Sequence, residues 1–441
     1  MKNQFRVKST PPCVLGVLLF FLMTGFRAGS VKVDITPDTP QWLLGYFARK
    51  STSVNDRIYH RVVVMEDDGG HQFALISSDL CAISVPTYEA LCKQLEKETG
   101  LRQSQVWWTV THTHSAPEVG SFSMAQAFMP ERFTHEPDQA YTQKVLDLLI
   151  DGVKKAQQGL TPARIGVGTG ISFANMNRRA IDVDGKVTLG LNPDGPVDRQ
   201  IGLLRIEHLD GAPIALVASY AMHGTAMSAH NLAVSGDALG IVAEYVEEKL
   251  GAPMLYINGA AGDITSLYYF HPNPRAAHLR QFRVMLGNRI IEANQSIRTD
   301  NGSAVRFWTG QVTVETPKRE KLIWPDDHAR HFRKTGEDAG MVRIPIQFLK
   351  INEETLIWSA PLELFCEVAL KIRAHSPFPN TFYYGYTNGW LGYLPTAKAF
   401  EHGGYETRTT PFTPRAEEDM TKTIVQYLHG IVRVPTSAAV R

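Results

Sequence analysis

With 441 residues, a net charge of +1 and 20% charged side chains, the chain can bury a large core and carries no basic stripe of the kind that tracks a phosphate backbone. That excludes nucleic acid as the expected partner. Cysteine offers no framework: outside Cys13, only Cys81, Cys92 and Cys366 remain, an odd number without CxxC spacing, so at most one disulfide can form.

The N-terminus sets Lys2, Arg6 and Lys8 before an apolar run from Val14 to Phe26, interrupted by Gly16, Thr24 and Gly25. The run is shorter than the ~18 residues of a membrane span and has the basic start and short apolar middle of a secretory signal. Residues 1–28 are therefore expected to be a signal peptide, cut near Gly25 to Gly29, or else an uncleaved anchor, and the protein to be exported to the periplasm, the cell surface or the medium. Residues 29–441 show no repeat, low-complexity linker or shift in composition that would divide them.

Val31 to Ile35 alternates like a strand, and Tyr59 to Met65 with Phe73 to Ser77 brackets the hairpin turn Asp67-Asp68-Gly69-Gly70. Helical spacing then predicts a helix over about Pro86 to Thr99, stopped by Gly100. The apolar run from Val106 reads as a strand ending in His112-Thr113-His114, and a mixed loop to Asp138 precedes a helix from about Gln139 to Ala156. Ile165 to Phe173 and Ile201 to Ile206 read as strands. Between them, Ala174 to Arg179 and Asn192 to Asp198 read as loops rich in turn formers.

Pro213 to Met222 is an apolar strand running into His223-Gly224-Thr225. A helix over about Ala238 to Leu250, the strand Met254 to Ile257, the small-residue loop Asn258 to Asp263 and a helix over about Arg275 to Ala293 follow. The last third predicts strands at Val305 to Thr316, Val342 to Ile351 and Thr355 to Ser359, with Lys318 to Asp338 as a charged excursion. Helices are expected from Pro361 to about Ala374 and over Glu417 to His429. Mixed strand-to-helix units and hairpins predict an α/β protein, a mixed β-sheet core covered by helices in a single large catalytic domain.

Polar groups fall at strand ends, where functional loops of α/β sheets gather: Asp79, His112 with His114, His223, Asp263 and Glu363. On a strand the side-chain period is two, so His112 and His114 would leave the sheet on one face. A catalytic zinc wants about three N, O or S ligands and an open position. Two imidazoles and a carboxylate suffice, and spacing leaves that carboxylate open among Asp79, Asp237, Asp263, Glu363 and Glu367. No HExxH occurs, and Asn258 to Asp263 lacks the Lys-Ser/Thr ending of a phosphate-binding loop. The aromatic supply at Tyr383 to Trp390 and Phe122 to Phe133 could line an apolar groove.

Six segments then occur in the order seen in one family: THTHSAP from Thr111, ANMNRR from Ala174, MHGTAM from Met222, SGD from Ser235, NGAAGDIT from Asn258, and GYLPT with Tyr393 followed by Tyr405. Over most of Gly29 to about Tyr405 the chain resembles the N-terminal catalytic domain of the neutral ceramidases. The resemblance implies one zinc ion held by His112, His223, Glu363 and Tyr393. It implies His114 as proton carrier or donor to the carbonyl, with Arg178 and Tyr405 reaching the same oxygen. The implied reaction is hydrolysis of the N-acyl amide of ceramide or a related lipid amide by metal-activated water, with peripheral membrane contact compatible with such a substrate.

Two departures stand out. Where the family carries an essential serine, this chain has Thr265 followed by Ser266, so either hydroxyl is a candidate for that role. The C-terminal immunoglobulin-like domain of the family is also not expected here. A hydrolase of the same fold acting on another amide or ester, and a zinc-retaining binding protein without catalysis, are the alternatives. A metallophosphatase is disfavoured because no GNH-type segment accompanies the carboxylates.

Overall fold

The computed structural model describes residues 25–267, 278–299, 305–319, 325, 328, 331 and 340–432. In chain order, the strands of the main sheet begin with β1 (Arg27–Asp34), β2 (Tyr59–Glu66) and β3 (Gln72–Ser78). Helix α1 (Val85–Thr99) follows, capped by Ser84, whose side chain accepts from the Thr87 amide, and closed by Gly100 in the left-handed region. Strand β4 (Val106–Val110), helix α2 (Gln139–Gln158) and β5 (Thr161–Ile171) continue the chain. A short strand β6 (Asn175–Ile181) precedes β7 (Gln200–His208), β8 (Pro213–Tyr220), helix α3 (Asp237–Leu250), β9 (Met254–Asn258) and β10 (Ile264–Ser266).

The main sheet runs β9-β8-β7-β5-β1-β2-β3-β4. It is antiparallel inside, but each edge is a parallel pair, β3 with β4 and β8 with β9, joined through α1 and α3. These are the crossovers that an apolar strand, a capped helix and a second apolar strand dictate. The sheet curls until its edges meet: Ser77 Oγ donates to the Tyr256 carbonyl at 2.5 Å, and Asn258 Nδ2 to the Thr111 carbonyl at 2.9 Å. Helix α2 lies across β1 and β2, where Gly152 brings its backbone against Val33 and Val62.

A second sheet joins β11 (Trp308–Pro317), β12 (Met341–Lys350), β13 (Thr355–Ser359) and β14 (Asn380–Tyr384) in that order. Its β13–β14 pair is parallel and is connected through helix α4 (Cys366–Ala374). Helix α5 (Ala416–Ile431) covers β11. The architecture is thus α/β with mixed sheets, as expected, and three parallel β-α-β units send their carboxyl ends toward one region.

Three local expectations change. Ala174 to Arg179, expected as a loop, is mostly strand β6, which pairs with β10. Its asparagines mislead because their amides are consumed by the tertiary structure: Asn175 Nδ2 donates to the Ala221 carbonyl at 2.6 Å and Asn177 Nδ2 to the Pro196 carbonyl at 2.9 Å. The helix expected from Pro361 starts only at Cys366, because Glu363–Leu364 is extended and pairs in parallel with Tyr393–Leu394. Strand β4 ends at Val110, short of both histidines.

Of the expected leader, residues 1–24 lie outside the described residues, as does most of the excursion from Lys318 to Asp338 and the start of the helix from Arg275. No described helix is long and apolar enough to cross a membrane.

Candidate metal centre and its cleft

Each β-α-β unit delivers a polar side chain just past a strand end. His112 follows β4, His223 follows β8 and Glu363 follows β13. Asn258, buried at the end of β9, ties the first two together: its amide donates to the carbonyls of Thr111 and Met222, both at 2.9 Å, and its oxygen accepts from the Met222 amide. The His114 amide donates to the Gly224 carbonyl at 2.8 Å. A Cβ at residue 224 would stand 2.6 Å from the His112 carbonyl oxygen and from Thr113 Cα, so the position demands glycine.

The two histidines of the His-x-His pair do converge, but not by strand alternation. His112 lies beyond the strand with φ 66°, a left-handed conformation that a bulky side chain rarely adopts. That turn brings His114 Nε2 to 3.2 Å from His112 Nε2. Gly45, at φ 111°, leaves the space the His114 ring fills.

Three ligand-type atoms form a triangle. His112 Nε2 and His223 Nε2 are 3.1 Å apart, and Glu363 Oε2 is 3.2 Å from the first and 3.4 Å from the second. All three residues are buried. His112 Nδ1 donates to the Cys81 carbonyl at 2.6 Å and His223 Nδ1 to the Ala261 carbonyl at 2.7 Å, which fixes both tautomers of the neutral rings. Two lone pairs then face one another beside Glu363 Oε2, which has no hydrogen-bond partner. Such a set is repulsive without a positive charge. Ligands about 2.1 Å from a tetrahedral zinc lie roughly 3.4 Å from one another, so the triangle fits that ion.

Electrostatics point the same way. Burial opposes charge on His112, but the Cys81 sulphur and Glu363 outweigh it and push its pKa up to about 10. Burial would raise the Glu363 carboxyl, yet His112 and Arg178 hold it below its usual value. Burial drives His223 and His114 well below the usual imidazole range, Arg178 adding to the first and His112 to the second. The cluster therefore favours one added positive charge, whether a proton or a metal ion. Cys81, His112 and His114 make a second grouping, but Cys81 Sγ stands 3.8 Å from Nδ1 of His112, on the side of the ring away from His223.

Of the five carboxylates the sequence left open, the fold brings only Glu363 to the imidazoles. Asp79 is ion-paired with Arg61 at 2.7 Å. Asp237 accepts from the amides of Ala226, Met227 and Ala238, and Asp263 from the Cys366 amide and Asn177. Glu367 lies on α4, outside the group.

Tyr393 OH accepts from Arg178 Nη2 at 3.2 Å, and burial followed by Glu363 keeps its phenol well above the usual pKa, with Arg178 opposing. Arg178 also donates through Nε to Glu406 at 2.9 Å, a buried carboxylate that Arg179 shares. Tyr405 packs its ring 5.7 Å from that of Tyr393. Thr265 and Ser266 are buried on β10 with hydroxyls that have no partner.

A cleft enclosing about 480 Å³, including its open mouth, reaches this centre. His112, His114, Glu363, Tyr393 and Tyr405 line it, whereas Arg178, His223, Thr265 and Ser266 do not. Its apolar walls include Leu44, Phe122, Met129, Phe133 and Trp390, so part of the expected aromatic supply is used, while Tyr383 packs in the core against Trp358. Sequence reasoning missed Trp390 as a partner of Glu363, whose Oε1 accepts from its indole at 2.9 Å. It also missed Tyr386, stacked on His112 at 4.1 Å, and Glu406 and Arg132. Trp390 and Tyr386 sit within the aromatic segment already noted, but nothing local marked them as supports of a ligand.

Comparison with known proteins adds the family. The profile described as neutral/alkaline non-lysosomal ceramidase, N-terminal, matches residues 26–261. The chain is similar to neutral ceramidase B of Dictyostelium discoideum, 25% identical over 248 residues that make up 52% of this chain and 33% of that protein. It is also similar to the neutral ceramidase of Pseudomonas aeruginosa, 24% identical over 282 residues, 58% of this chain and 41% of that one. The matched stretch is thus well under half of those relatives' length. Among solved structures, the crystal structure of the Pseudomonas aeruginosa neutral ceramidase superposes with a TM-score of 0.74 at 18% identity, over 95% of this chain and 76% of that one. A ceramidase complexed with C2 gives 0.73 at 17%. At these identities the structural likeness is one of fold.

Proposed function

The chain belongs to the neutral/alkaline non-lysosomal ceramidase family, and from that premise we propose that it is a zinc-dependent amidohydrolase. It cleaves the N-acyl amide of ceramide or a related lipid amide to a fatty acid and a sphingosine-type amine. The observation that carries this reading is the convergence of His112 Nε2, His223 Nε2 and Glu363 Oε2 with their other atoms already bonded to the scaffold.

His112, His223, Glu363 and Tyr393 would hold the ion. Zinc, when bound, supplies Lewis acidity to a carbonyl and lowers the pKa of water. The chain's own groups do the rest. His114, buried and neutral, lines the cleft and brings Nε2 to 3.2 Å from His112 Nε2, so that this nitrogen can take a proton from attacking water and return it to the departing amine. Arg178 holds the Tyr393 phenol through Nη2, and the Tyr405 hydroxyl borders the cleft as a donor toward a carbonyl oxygen that gains charge. The apolar wall of Phe122, Met129 and Phe133 accepts an acyl chain and keeps water off it.

Thr265, in place of the family's serine, favours keeping a second reading, hydrolysis of a different amide or ester at the same centre. Export through the leader is part of the proposal, and N-terminal sequencing of protein recovered outside the cell would check it. The deciding experiment measures zinc per chain and assays fluorescent ceramide beside N-acyl amino acids and simple esters. About one zinc with ceramide turnover supports the leading reading. Zinc with cleavage of another amide only would reject ceramide as substrate, and the absence of bound zinc would reject the mechanism.

A further inference from the structure

Three guanidinium groups surround His114, and they are not equivalent. Arg178 is ion-paired with Glu406 at 2.9 Å, a carboxylate it shares with Arg179. Arg49 gives its terminal nitrogens to the carbonyls of Asn231 at 2.8 Å and His114 at 2.6 Å and so holds loops together, and it does not line the cleft. Arg132 differs: it lines the cleft, is three-quarters buried, and among the described residues its side chain bonds only to the Tyr405 hydroxyl, at 3.4 Å, with its guanidinium 5.9 Å from that ring. Its nearest carboxylate, Glu131, stands 4.0 Å away and is 71% exposed. The remaining acids of the neighbourhood are engaged, Glu363 at the metal centre and Glu118 with His135 at 2.9 Å.

A largely desolvated guanidinium without a close anion is costly to keep unless something pairs with it. Arginine's planar fork suits a carboxylate above other groups, and the apolar neighbours Met129 and Phe133 strengthen any such pair by excluding water. Tyr405 lies between Arg132 and Tyr393, so Arg132 borders the same cleft as the metal centre, where a carboxylate on one end of a bound amide could reach it. A neutral sphingoid base offers this guanidinium hydroxyls at most.

Resting on the amidohydrolase reading above, we infer that Arg132 selects substrates whose amine portion carries a carboxylate. The substrates of the centre then include N-acyl amino acids beside the lipid amide proposed above: water adds to the acyl carbon, the C–N bond breaks, and the amino acid leaves with a proton on its nitrogen. Arg132 is a specificity residue for that substrate, and Glu406-bound Arg178 is not.

The test compares N-dodecanoylglycine with N-dodecanoylglycinamide, which differ in the charge alone, and with a fluorescent ceramide, on zinc-loaded full-length protein. Wild type is expected to show a kcat/KM ratio of acid over amide on the order of tenfold to a hundredfold, the worth of a charge-assisted pair. Arg132→Gln should bring that ratio close to one, and Arg132→Lys should restore part of it. A ratio near one in wild type, or an equal loss on both glycine substrates in Arg132→Gln, as expected if the side chain only props Tyr405, would overturn the inference. A sulfonamide analogue, N-dodecylsulfonylglycine, is titrated in parallel by calorimetry against its glycinamide counterpart. Tighter binding of the acid, lost in Arg132→Gln, with no turnover of any amide would remove the amidase reading and leave the anion site standing. Equal binding of the two removes the site whatever the turnover.

Discussion

Two buried polar clusters stand beside strand ends, and only one of them contains its own side-chain cation. In the first, Arg61 donates to Asp79 at 2.7 Å and to Glu247 at 2.6 Å, linking β2, the end of β3 and α3. Burial works against the Arg61 charge, but Asp79 and Glu247 outweigh it and hold its pKa above the ordinary value. In the second, His112, His223 and Glu363 turn lone pairs toward one point and no side-chain cation fills it. The lesson is that burial alone does not mark a functional carboxylate. What separates Asp79 from Glu363 is whether the chain itself supplies the countercharge.

The sharpest way to break the contrast is to remove a ligand. His112→Ala and His223→Ala are expected to lose bound zinc and at least a thousandfold in turnover, about 4 kcal/mol in activation free energy. Metal analysis of the purified variants checks this, and either variant keeping both metal and activity would mean the site is misassigned. Chelation should lower the unfolding temperature of wild type and leave that of His223→Ala unmoved.

Arg61→Met is expected to destabilise by about 3–5 kcal/mol, because Asp79 loses its cation in a dry place and Glu247 keeps only Lys32. Urea unfolding reads that loss directly. Zinc content should stay at one per folded chain, so a concurrent loss of metal would erase the distinction between the two clusters.

His114→Ala should retain zinc and lose on the order of a hundredfold in kcat, the usual worth of a general acid–base group. Loss of the metal instead would make His114 a ligand and the cluster a different one.

The smallest effect concerns His60, a further buried imidazole near these clusters, bonded to Ser78 Oγ at 2.6 Å and to the Val145 carbonyl at 3.1 Å. Burial lowers its pKa to about 4, with Val145 opposing. The unfolded chain takes up a proton near the ordinary imidazole value of ~6.5, whereas the folded chain does so only near 4, so stability falls as pH falls through that window. Urea midpoints at pH 7 and pH 5 should differ less in His60→Gln than in wild type, and an equal difference would show that His60 does not contribute.

Much of the fold was legible because its signals are local. The apolar strands at Val106, Pro213 and Thr355, the caps at Ser84 and the stops at Gly100 and Gly251 each follow from neighbours along the chain. Reading Ala174 to Arg179 as a loop failed for the opposite reason: the partners of Asn175 and Asn177 lie far away in sequence. The site divides in the same way. His112, His114 and His223 announced themselves by ending apolar strands.

Local pattern did not say which carboxylate joins them, because Asp79, Asp237, Asp263, Glu363 and Glu367 all sit in plausible local settings, and only the family resemblance pointed to Glu363. The sequence by itself determined an α/β chain, the order of its motifs and the residue types able to hold a metal. Only the tertiary structure decided that Glu363, kept extended by its pairing with Tyr393, completes the triangle, and that a left-handed turn at His112 aims its ring there. The physical reason is that local pattern sets which face a side chain leaves, while convergence depends on how three strand ends close on one another through Asn258, Gly224 and the curl of the sheet.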